Sequence, residues 1–181
     1  ASNKAMRELT GHDFAQFSAL KYIGQGKARE EIDRIKKAKK AFGQAINSKN
    51  EELNTLQNNK TFLQEEMNNM NKRRQSILED VSKLRSEISQ NPNDSSGNSA
   101  RLSKINDLSQ ELTEIRQGYN NNIESLNTIK EEEREIHGKI SEYNRSIEKL
   151  NKIQSKREIA SGIPEQNIDD LNKLLKDSEN L

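Results

Sequence analysis

Apolar residues return every three and four positions along two long stretches, and that spacing decides most of what this chain can become. With Leu53 set as an a position, the a series of the first stretch reads Ile32, Lys39, Ile46, Leu53, Lys60, Met67, Arg74, Val81 and Ile88. Its d series reads Ile35, Phe42, Lys49, Leu56, Leu63, Met70, Ile77 and Leu84. In the second stretch the a series is Ile105, Leu112, Tyr119, Leu126, Glu133, Ile140, Ile147 and Gln154. The matching d series is Leu108, Ile115, Asn122, Ile129, Ile136, Tyr143, Leu150 and Arg157. A strand would alternate with period two. A heptad kept up over this length predicts coiled-coil α-helices, with the apolar members of both series as the core. Each helix, of roughly 60 residues, would be about 90 Å long at 1.5 Å per residue.

Proline and glycine place the boundaries. The chain holds two prolines, Pro92 and Pro164. Residues 27–90 and 100–160 are free of them, and residues 91–99 (Asn-Pro-Asn-Asp-Ser-Ser-Gly-Asn-Ser) are all turn or breaker types. So short a connection favours antiparallel neighbours. The alternative is a parallel homodimer in which the loop interrupts one rod. In the hairpin, a loop centred near Ser95 sets Leu84 opposite Ile105, Ile77 opposite Leu112 and Leu53 opposite Ile136; a slip of one heptad is the competing register. Residues 1–26 read as short helices, the second opened by a capping-box pattern at Asp13 and Gln16 and closed by Gly24-Gln25-Gly26. Residues 161–181 read as one short helix opened by Pro164, with Ile168, Leu171, Leu174 and Leu175 on one side. The expected fold is therefore all-α: a long antiparallel coiled-coil hairpin with short terminal helices packed at its open base as a head.

Composition narrows the function classes. Hydrophobic residues make up 30% of the chain and charged residues 33%, whereas a compact domain carries about 45–50% apolar residues. One large core is not expected. No apolar run nears the ~18 residues of a membrane span. There is no cysteine, which removes disulfides, thiolate metal sites and cysteine nucleophiles. A net charge of +1 argues against a dedicated nucleic-acid coat, which draws affinity from excess positive charge. It argues equally against disorder, where low hydrophobicity goes with high net charge. Ala1–Thr10 lacks the basic and apolar regions of a signal peptide; with the absence of cysteine, this favours the cytoplasm.

No constellation carries chemistry. His12 and His137 are far apart in the expected fold. Glu131, Glu132 and Glu133 are consecutive on a helix and point in different directions, a poor cation cage. Gly24-Gln25-Gly26 lacks the strand and the GK[ST] of a phosphate loop. No catalytic, metal or cofactor residue is assigned. Arg34, Lys36, Lys37, Lys39 and Lys40 form the densest basic cluster. It reads as internal balance for the acidic segment 161–181, as a protein-binding surface or, least favoured, as a nucleic-acid contact. Phe14, Phe17, Arg34, Lys36, Lys37, Lys40, Leu171 and Leu174 are the candidate partner surface. Polar residues at a and d fix register at a cost in stability, and Lys60 and Glu133 fall in adjacent layers as a candidate core pair. Asn68, Asn69 and Asn71 on one helix, and Gly118 with Asn120, Asn121 and Asn122 on the other, are weak helix formers at one height. They are a candidate elbow.

These observations lead to a non-enzymatic structural or interaction module, a stiff stalk acting as spacer or scaffold for protein partners, with self-association open. Two other classes fit the pattern: a receptor-binding or translocation hairpin of a bacterial toxin or secretion apparatus, and the coiled-coil arm of a chromosome-maintenance-type ATPase. Nucleic acid is not the expected partner.

Overall fold

The computed structural model describes the backbone of residues 2–159 and 165–181, and the side chains of residues 29–157 and 168–181. It contains three helices, α1 (Ser2–Gln90), α2 (Ser95–Ile159) and α3 (Glu165–Glu179), and no strand among the described residues. α1 and α2 pack against each other as a helical hairpin. The chain divides into two compact units: Ala1–Asn50 with His137–Leu181, and Glu51–Ile136.

The Glu51–Ile136 unit contains the hairpin turn, which is shorter than the sequence pattern suggests. Only Asn91–Asp94 lie outside the helices; residues 95–99, expected as loop, form the first turn of α2. α1 stops at Gln90 because Pro92 disfavours a helical conformation for Asn91. Asp94 then caps α2. Its carboxylate accepts a hydrogen bond from the Gly97 N–H at 3.1 Å, and its carbonyl accepts the first helical bond, from the Asn98 N–H at 2.8 Å. A Cβ on Gly97 would lie 2.1 Å from Asp94 Oδ2, so a larger residue there would force the capping carboxylate to shift. Arg101 ties the turn together, donating to Glu87 at 3.2 Å, to Asp94 at 3.3 Å and to Asn98 at 2.9 Å.

Next to the turn, Ile77, Val81, Ile105 and Leu108 form a buried cluster, flanked by half-buried Leu84, Ile88, Leu112 and Ile115. Arg73 donates two bonds to Glu111, at 2.7 and 2.9 Å. The pairs Glu87–Arg101, Glu66–Asn122 and Met70–Gly118 fit the register with Leu84 opposite Ile105; a slip of one heptad would carry Glu87 to the height of Ser109. Elsewhere in this unit the seam is half-buried: Leu53, Leu56, Leu63, Met67, Met70, Tyr119, Leu126 and Ile136, with Ile129 buried.

The other unit adds a third helix. α3 presents Leu171, Leu174 and Leu175, spaced to share one face, to a core of Ile35, Ala38, Phe42, Leu150 and Ile153. Tyr143 and Ile147 pack against it, and the Phe42 and Tyr143 rings meet tilted at 5.9 Å. Ile32, Ile46 and Ile140 stay half-buried. Three differences from the expected fold follow. Ala38 and Ile153 lie outside both heptad series, yet they are buried because α3 covers them. Leu171 and Leu174, expected on a partner surface, are 4% and 7% exposed and belong to this core. α1 also runs through Gly24-Gln25-Gly26, where a break between the short N-terminal helices and the long helix was expected; a glycine inside a helix costs only about 1 kcal/mol and need not end it. Phe14, Phe17 and the packing of a head over residues 1–26 lie outside the described side chains.

Candidate interaction surfaces along the helix seams

Polar residues that interrupt the heptads are mostly matched across the two helices. Lys39 Nζ donates to Gln154 Oε1 at 2.8 Å. Lys60 Nζ lies 3.7 Å from Glu133 Oε1, with both side chains about three-quarters withdrawn from water. Asn122 donates to Glu66 at 3.3 Å, and Arg157 pairs with Glu31. Lys49 also has a partner. Arg74 differs. It holds an a position, yet it is exposed and makes no ion pair among the described residues. A guanidinium cannot stay buried without a partner, and the register sets Arg74 against Ile115 and its neighbours, where there is no acid within the seam.

The outward turn of Arg74 coincides with a groove of about 450 Å³. Leu112, Ile115 and Tyr119 line it with Leu78, which is 48% exposed, and Arg74, Arg116, Asn71, Asn120 and Thr113 complete the lining, with no carboxylate among them. Arg73, one residue before Arg74, is neutralised by Glu111. Accepting both of its bonds holds the Glu111 carboxyl below the usual carboxylate range and raises Arg73.

The weak helix formers do meet at one height. Gly118 leaves room for Met70, whose Cε would lie 3.1 Å from a Cβ at that position, and Asn122 reaches Glu66 in the same region. Both helices continue through it unbroken.

The basic cluster is divided. Arg34 approaches Glu179 of α3 at 4.0 Å, both side chains well exposed, and Lys39 turns to Gln154. Lys36, Lys37 and Lys40 are exposed and have no ion pair among the described residues. His137 is exposed. Glu131 pairs with Arg134, while Glu133 faces Lys60. Among the described residues no group of His, Asp and Glu is arranged to hold a metal ion, and no helix is long and apolar enough to cross a membrane.

Heptad spacing alone marked Arg74 as a misfit. It did not mark the groove, because Arg116 and Leu78 lie outside the a and d series. Comparison with protein-family models, curated proteins and solved structures finds no match.

Proposed function

We propose that this chain is a non-enzymatic structural and interaction module, a coiled-coil hairpin that serves as a spacer or scaffold for protein partners. One observation carries the reading. Every described a and d position except Arg74 is at least partly withdrawn from water, so most of the apolar repeat is used in helix packing. The surface also offers charge: Lys36, Lys37 and Lys40 on α1 are exposed and make no ion pair among the described residues. Near-neutral overall charge points these lysines at an acidic protein surface rather than at nucleic acid.

The test is site-specific photocrosslinking from positions 36 and 40 of the full chain in its host cell extract. Crosslinked protein bands are expected, and they should disappear when Lys36, Lys37 and Lys40 are changed to Glu. Crosslinks to nucleic acid, or protein bands indifferent to the charge reversal, would overturn the reading.

A further inference from the structure

We infer that the groove flanked by Arg74 and Arg116 docks an acidic amphipathic helix from a protein partner. The inference rests on the interaction-module reading and deepens it. Arg74 is the one polar residue of the described seam with no partner, whereas Lys39, Lys49, Lys60, Asn122, Glu133, Gln154 and Arg157 all have one. Its outward turn leaves Leu112, Ile115 and Tyr119 lining an open groove, with Leu78 exposed at 48%. An apolar side chain inserted there would restore the burial that the arginine fails to provide.

The rim specifies charge. Arg74 and Arg116 both line the groove and lack an ion pair among the described residues, and no carboxylate lines it. A guanidinium binds a carboxylate through two parallel bonds and gains most when the site is dry. An occupant must therefore carry apolar anchors three or four residues apart and Asp or Glu beside them, the pattern of a helix laid in a groove.

The chain already displays this mode elsewhere. In the unit formed by Ala1–Asn50 and His137–Leu181, α3 buries Leu171, Leu174 and Leu175 against α1 and α2 and brings Glu179 towards Arg34. α3 is itself acidic, with Glu165, Asp169, Asp170, Asp177 and Glu179 against Lys173 and Lys176. Its leucines are already buried, so the groove at Arg74 calls for another helix of the same chemistry.

The experiment uses the full chain, whose own α3 occupies its site, and a fluorescein-labelled peptide with the sequence of Glu165–Glu179 as probe, read by anisotropy. Saturable binding is expected. It should weaken at least tenfold in the Arg74→Glu, Arg116→Glu double variant and in Arg74→Leu, which fills the groove and should raise the melting temperature. A peptide with its leucines changed to Ser should not bind. Equal binding by the charge-reversed variant, or by oligoglutamate without anchors, would overturn the inference. So would self-association of the unliganded chain that depends on Arg74 and Arg116, since a second copy would then be the occupant. Loss of this binding with the Lys36 and Lys40 crosslinks intact would remove the groove and leave the module reading standing.

Discussion

The two units use the same heptad and reach different degrees of burial. Where α3 adds a third layer, Ile35 and Leu150 are 0% exposed and Phe42 2%, and even Ala38 and Ile153, off the repeat, are sealed. With only two helices, full burial is confined mainly to Ile77, Val81, Ile105 and Leu108 near the turn, and most of the remaining seam keeps contact with water. A pair of helices can shield one narrow stripe. A third helix is needed to dry the flanks, and α3 covers Ala38 beside the stripe.

That contrast is easiest to break at Leu150. Leu150→Ala should cost about 3–5 kcal/mol, as a fully buried leucine does when its cavity persists. Leu126→Ala, in the half-buried seam of the other unit, should cost less than half of that. Urea denaturation of both variants checks the ratio, and equal costs would mean that the third helix adds no burial that matters.

The next effect is a gain for the two-helix unit. Cysteines at Leu84 and Ile105 should oxidise within one chain, because facing core residues lie within bridging distance. Closing that short loop should add about 3 kcal/mol. A Leu84→Cys, Leu112→Cys pair, which fits the slipped register, should form poorly; non-reducing electrophoresis at low protein concentration decides between them.

Smaller still is the change at the polar layer. Lys60→Leu with Glu133→Leu should stabilise by about 1–2 kcal/mol, since a well-packed apolar pair often outperforms a desolvated ion pair. Lys60→Leu alone should be near neutral, because Glu133 retains some access to water. Thermal melts of the two variants against the native chain check this, and a clear loss in the double variant would show that the charges hold the seam together.

The least effect is expected from Glu111. Its carboxyl is held low in the folded state by Arg73. Its contribution is therefore full above the unfolded carboxylate pKa and disappears as pH falls through the lower folded value. Glu111→Gln should flatten the acid side of the melting-temperature profile slightly and leave neutral pH almost unchanged; an unaltered profile would mean that exposure cancels the pair.

Much of the hairpin is legible in the residues because a heptad fixes which stripe of each helix is buried, and Pro92 with the short polar connection marks where the chain turns. The true length of the turn was harder to read. Ser95 to Ser99 are breaker types, but Asp94 satisfies a free N–H group of the helix and so recruits them into α2. Leu171 and Leu174 read as surface residues in the sequence because a short amphipathic helix does not announce its partner. The partner is a flank, Ala38 and Ile153, that no repeat singles out. Arg74 was visible as a misfit, but its direction depends on what the opposite helix offers at that height, which is known only once the register is set.

The capped turn also bears on the order in which the molecule assembles. Asn91–Asp94 closes a very small loop, and Arg101 fastens it with neighbours close in sequence. Contacts of short sequence separation form early, because little chain entropy is lost in making them. Pairing can therefore start at Val81, Leu84, Ile105 and Leu108 and advance outward layer by layer, each step adding one facing pair. The Ile35, Leu150 and Leu174 cluster joins residues from opposite ends of the chain. On a ribosome that cluster must wait until α3 has been made, so it is completed after the turn has paired.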